Sequence, residues 1–211
     1  PLGPVVPLVP GVAPNVLVVD AAAQAGGKGT LDAPYRTIQD ALQTATAGTE
    51  IVVRDGTYRE ALKSVRGGEG ESRRITVRAE HARRAVVESV SGVLQVSHPW
   101  LTVEGLVLNG QFGAADAVTV ATAANHLVLR NVEVRNASND GIDLDSPANV
   151  LLEDCRVHDI LSNRQGIFSH GIVTYAVNGL KIRNTEVSHC SGNGITLMLE
   201  RPDDPTGWQN V

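Results

Sequence analysis

Four segments of the chain, Leu101-Thr-Val-Glu-Gly-Leu-Val-Leu108, Leu127-Val-Leu-Arg-Asn-Val-Glu-Val134, Val150-Leu-Leu-Glu-Asp-Cys-Arg-Val157 and Leu180-Lys-Ile-Arg-Asn-Thr-Glu-Val187, superpose without gaps. They begin 26, 23 and 30 residues apart. A second series, Asp116-Ala-Val118, Asp140-Gly-Ile142, His170-Gly-Ile172 and Asn193-Gly-Ile195, recurs at spacings of 24, 30 and 23. Two series locked to one period mark a repeat architecture. Each period of about 24 residues has room for three short strands, with alternate apolar residues turned inward. This describes the coil of a parallel β-helix better than a propeller blade, and the connections are too short and polar for the helical segments of a leucine-rich repeat. The fifth position of the first series reads Gly105, Asn131, Asp154 and Asn184, residues that tolerate the left-handed backbone of a bend between strands.

Composition agrees. The 211 residues are 42% hydrophobic but only 3% aromatic, with 21 glycines and a net charge of −5. One well-cored domain rich in β-branched residues is expected, with no basic stripe for nucleic acid and no apolar run that would cross a membrane. The expected organisation is a Pro-rich linker or mature terminus over 1–14, a strand and capping helix over 15–50, and coils over 51–211 that continue past the chain end. In the second segment, Thr37 and Asp40 resemble a capping box, and Ile38, Ala41, Leu42 and Ala45 give one apolar face before Gly48. Such a helix would close the open end of the strand stack. A monomer is expected.

Stacking converts the alignment into columns, because equivalent residues of successive parallel strands lie about 4.8 Å apart. One column reads Asp116, Asp140, His170, Asn193; outward-facing columns read Thr119, Asp143, Val173, Thr196 and Ala121, Asp145, Tyr175, Met198. The stretch Ser138-Asn-Asp-Gly-Ile-Asp-Leu-Asp145 therefore gathers Asp140, Asp143, Asp145 and Asn139 beside Asp116. Acids so crowded repel one another, which favours a hard cation with oxygen ligands, and calcium suits the set. The competing reading is a solvated Asp-Gly turn. The spacing of 30 places extra residues in 161–168, a protruding loop that carries Arg164 and either shapes a binding surface or is a tolerated insertion. His170 beside the acids is the candidate proton-transfer group, with Tyr175 and Arg164 as assisting residues. His158, Asp159 and His189 read as a structural hydrogen-bonded or ion-pair set on another strand. Cys155 and Cys190 fall in different columns and are expected to be free thiols.

The segments Gly29-Thr-Leu-Asp-Ala-Pro-Tyr-Arg-Thr-Ile-Gln-Asp-Ala-Leu42 and Ala47-Gly-Thr-Glu-Ile-Val-Val-Arg-Asp-Gly-Thr-Tyr-Arg-Glu60 look like the amino-terminal cap and first coil of many polysaccharide lyases. The chain thus resembles the carbohydrate-active proteins of the all-β, right-handed, single-stranded parallel β-helix class. Asn139-Asp-Gly-Ile-Asp143 is similar to the calcium-binding segment of family 9 pectate lyases, and Ala115-Asp116-Ala117 matches the ligand segment one coil earlier. The resemblance implies calcium held by Asp116, Asp140 and Asp143, with Asn139 replacing an acid. It implies a secreted enzyme that cleaves an acidic, uronate-containing polysaccharide by β-elimination. The family's base is a lysine, and Lys28, Lys63 and Lys181 match no column expected for it. Alginate C-5 epimerases offer a second comparison, of which Asp143-Leu-Asp-Ser146 keeps only the first acid. Polygalacturonases offer a third, and a non-catalytic carbohydrate-binding β-helix stays open beside these enzymes.

Overall fold

The computed structural model describes residues 15–198; the Pro-rich opening and the continuing coil expected near the carboxyl end lie outside them. Within this span the expected repeat is realised as six coils of three strands. The fourth coil consists of Val128–Arg130, Glu133–Ala137 and Ile142–Asp145; the fifth of Leu151–Glu153, Arg156–Ile160 and Ile172–Tyr175. Equivalent strands pair in parallel, so the first, second and third strands of successive coils build three sheets running the length of the stack. Asn15–Val19 extends the first sheet at its foot by pairing with Thr49–Val53.

The register is the one read from the repeat. Val118 lies opposite Ile142, Ile142 opposite Ile172, and Ile172 opposite Ile195. Val118, Ile142, Leu144 and Ile172 are buried, while Thr119, Asp143 and Asp145 on the alternate positions are not. The period-2 alternation therefore separates an apolar interior from a polar outer face. At the bend after each first strand, Gly105, Asn131, Asp154 and Asn184 all take positive φ, between 44° and 70°. The Asx ladder is a backbone requirement of the corner.

The helix Ile38–Thr44 packs Ile38, Ala41 and Leu42 against the foot of the stack. Thr37 accepts the Asp40 amide at 3.1 Å, as the capping signal predicts. The helix stops at Thr44, ahead of Gly48. Its other amino-terminal amides are taken up from outside: Glu60, just before the third strand of the first coil, accepts Ile38 N–H at 2.8 Å and Gln39 N–H at 2.9 Å. Burial raises the Glu60 carboxyl above its ordinary value, and these two amides oppose the shift.

Both cysteines are free, Cys155 buried and Cys190 opposite Ile160 in the coil below.

Candidate functional site

The strand Ile142–Asp145 begins directly after Gly141, so Asn139 and Asp140 sit at the bend leading into the third sheet. Gly141 is not in the left-handed region. A Cβ there would lie 2.5 Å from the Gly171 carbonyl oxygen and 2.8 Å from Val157 Cγ1. The glycine of the repeated Asp-Gly-Ile, His-Gly-Ile motif is thus explained by the close approach of the next coil, its backbone at Gly171 and its Val157 side chain, and the turn signal is not its cause. That packing fixes the residue before each glycine at the rim of the outer face.

Asp116, Asp140 and His170 occupy those rim positions in three successive coils and are bonded in sequence. Asp116 Oδ1 accepts the Asp140 amide at 2.8 Å and the Asn139 side-chain amide at 2.6 Å. Asp140 Oδ1 accepts the His170 amide at 2.7 Å, and His170 Nδ1 lies 3.1 Å from the same oxygen. Side-chain exposures of 22% for His170 and 19% for Asp140 leave both groups partly reachable. A carboxylate partner at Nδ1 calls for the proton there, leaving Nε2 with its lone pair. The imidazole lies against Gly192, where a Cβ would come 3.1 Å from Nε2.

Burial pushes the Asp116 carboxyl above its ordinary value; the amides of Asp140 and Asn139 pull it down and the Asp140 charge pushes it up again. The Oδ2 atoms of Asp116 and Asp140 accept no hydrogen bond from another described residue. With Asp143 outward on the strand that Asp140 leads into, the donor set is all oxygen, which is the ligand chemistry of a hard divalent cation. Asp116, Asp140 and Asp143 are not drawn together tightly: among the described residues the group whose ligand atoms all fall within 4.8 Å of one another is Asp55, Glu80 and His81, exposed at the far corner of the first sheet.

The other expected site residues fall as follows. Arg164, in the long loop, reaches back so that NH2 donates to Asn139 Oδ1 at 3.3 Å, bringing the insertion to the acidic coil. Tyr175 lies opposite Asp145 in the neighbouring coil, on the same outer face. Asp145 accepts the Ser146 hydroxyl at 3.4 Å, and its backbone carbonyl accepts Thr122 Oγ1. His158 Nδ1 is 2.8 Å from Asp159, and His189 Nδ1 is 3.6 Å from the other Asp159 oxygen, so this set is the separate ion-pair group expected. Asp140 and Asp159 nevertheless both act on the Cys190 thiol, whose pKa is raised first by burial and then by these two charges.

Lys63 differs from its reading in the sequence. The registers Lys63 to Gln95, Gln95 to Thr119 and Thr119 to Asp143 place it in the outward column of Asp143, three coils lower. The first two coils lack the Asp-Gly-Ile phrase that aligned the later ones, so the column was invisible below Asp116. A cleft of about 200 Å³ opens on this face, lined among others by Lys63, Gln95, Thr119, Asp116 and Asn139.

Three parallel sheets with an acidic rim on the third define a pectate-lyase-like β-helix. The chain belongs to the family described as Pel9A-like, right handed beta helix region, which matches residues 17–201. Among solved structures it is similar to pectate lyase Pel9A, with a TM-score of 0.73 at 14% identity over 95% of this chain and 58% of that one. An alginate lyase from Paenibacillus sp. superposes with a TM-score of 0.57 at 20% identity, over 76% of this chain and 61% of the other. The uncharacterized protein YwoF of Bacillus subtilis is 23% identical over 121 residues, 51% of this chain and 26% of YwoF. At these identities the structural likenesses establish the fold, and the chain spans less than two thirds of each of these three relatives. Among the described residues no helix is long and apolar enough to cross a membrane.

Proposed function

We propose that the protein is a secreted lyase that cleaves an acidic, uronate-containing polysaccharide by β-elimination with calcium as cofactor. The observation carrying this reading is the bonded column Asp116, Asp140, His170, with Arg164 drawn onto Asn139 beside it. Asp116, Asp140 and Asp143 would hold the ion, with Asn139 and Asp145 as neighbouring oxygen donors. Calcium would supply charge neutralisation for the uronate carboxylate, making the proton at C5 more acidic. His170 Nε2 takes that proton, the C5–H electrons form the C4–C5 double bond, and the C4–O bond breaks toward the leaving sugar. Arg164 and Tyr175 assist, Arg164 by facing the anionic substrate and Tyr175 by protonating the departing oxygen. Asp140 holds the imidazole in its orientation through Nδ1.

Assay of pectate, alginate and glycosaminoglycans for unsaturated, ultraviolet-absorbing product, with and without chelator, tests the reading. Product that disappears on chelation is expected; no product from any uronate polymer sinks it. A specific observation favours a second reading, a non-catalytic carbohydrate-binding β-helix: Asp116 and Asp140 each use Oδ1 to fasten the next coil, a structural task in itself. Saturable oligosaccharide binding without turnover would select it. New chain ends that are saturated at the non-reducing side would instead identify a hydrolase, and altered uronate stereochemistry in uncut chains an epimerase.

A further inference from the structure

The cleft on the third sheet has a floor and a wall of different chemistry. Lys63, Gln95 and Thr119 form the floor along the outward column that leads up to Asp143; Ser91, Ala115 and Asn139, from the bends before the third sheet, line the wall. The three residues of that column are polar, with Leu62 and Leu94 beside them, and the foot of the column is cationic. Lys63 is held in place through its backbone, which donates to Gln39 Oε1 at 2.8 Å and accepts the Gln39 side-chain amide at 3.1 Å. Its exposed ammonium makes no ion pair or hydrogen bond with any described residue. By contrast Arg54, Arg59, Arg73, Arg74 and Arg78 in the same two coils are all paired with carboxylates. A cation left without a partner, in a cleft shared with Asp116 and Asn139, is available to an anion from outside.

We infer that Lys63 is a carboxylate-binding subsite of the same groove, recognising a uronate several units along the chain from the one held at the acidic column. The inference rests on the acidic-polysaccharide reading above and deepens it. Two coil spacings separate Lys63 from the coil of Asp116 and three from Asp143, roughly 10 and 14 Å, a span that calls for a chain of about three to four units. Lys63 is thereby too far from Asp143 to act on the same sugar, and it sets chain-length preference and the direction in which the polymer runs, along the stack toward the amino-terminal coils.

Calorimetric titration with oligogalacturonates and alginate oligomers of defined length, in calcium, tests this on the full chain. For the wild type, affinity is expected to climb between dimer and hexamer. In Lys63→Ala the hexamer should bind roughly five- to tenfold more weakly with the dimer unchanged, and Lys63→Arg should restore most of the loss. An unchanged thermal midpoint certifies the variant, since the side chain is exposed. Hexamer binding that is unaffected in Lys63→Ala, or dimer and hexamer weakened alike, overturns the subsite and leaves the lyase reading standing. Wild-type protein that binds no uronate oligomer of any length removes both.

Discussion

Glu60 stands two residues before Leu62, as Asp116 stands two before Val118 and Asp140 two before Ile142, so the three acids share one rim position at different heights of the stack. Each accepts backbone N–H groups. At the foot, both Glu60 oxygens are engaged by Ile38 and Gln39 of the capping helix, and the position one coil above is Gly92. In the middle, Asp116 and Asp140 are stacked on adjacent coils, and among the described residues only Oδ1 of each is engaged by another residue. The same placement thus gives a structural clasp where one carboxylate sits alone and saturated. Where two sit one spacing apart with acceptor capacity to spare, it gives a candidate cation site. The difference lies in the neighbours, since the acids themselves are chemically alike.

Breaking the middle of the column should affect catalysis most. Asp140→Ala is expected to lower lyase turnover by about two to three orders of magnitude, read as the rate of unsaturated product, because it removes both a proposed ligand and the carboxylate that orients His170. Glu60→Ala should leave turnover per folded molecule unchanged. Gly141→Ala should destabilise the fold by about 1–3 kcal/mol in chemical denaturation, since the methyl has no room against Gly171 and Val157. Glu60→Ala should cost about 1–2 kcal/mol, the two helix amides losing their acceptor.

The sign of the pH effect separates the clasp from a simple ion pair. The Glu60 carboxyl is raised above its ordinary 4.5 by burial. A raised carboxyl makes its contribution in full below the unfolded value and loses it as pH rises through the folded one. The stability advantage of the wild type over Glu60→Gln should therefore shrink as pH rises past the ordinary carboxyl value of 4.5 in paired denaturation curves; an advantage that grows with rising pH would contradict burial as the dominant cause. Smallest of all, His81→Ala should change stability by no more than about 0.5 kcal/mol, because the Asp55, Glu80, His81 group is exposed and Asp55 also has Arg84 at 3.9 Å.

Much of this arrangement was legible because a parallel stack reports its register through period alone. Aligning Asp-Gly-Ile with His-Gly-Ile placed Asp140 opposite His170, and the apolar alternation placed Ile142 inside and Asp143 outside. Three features were not legible, each for a physical reason. The glycine of the motif looked like a turn residue, and only its closeness to Gly171 and Val157 of the next coil shows that a Cβ has no room there. The capping of the helix start looked local, whereas the Ile38 and Gln39 amides are accepted by Glu60, 22 and 21 residues away in sequence. Lys63 looked unaligned because the first two coils keep the strand register without keeping the motif. Period encodes which residues share a column; it does not encode what a side chain does with its oxygens once there.

Calcium titration of the wild type, Asp140→Asn and Glu60→Gln, followed by calorimetry in the absence of sugar, tests the central claim most directly. The account predicts one saturable site in the wild type, retained in Glu60→Gln and lost in Asp140→Asn. Equal calcium binding by wild type and Asp140→Asn, or loss of binding in Glu60→Gln alone, would contradict it.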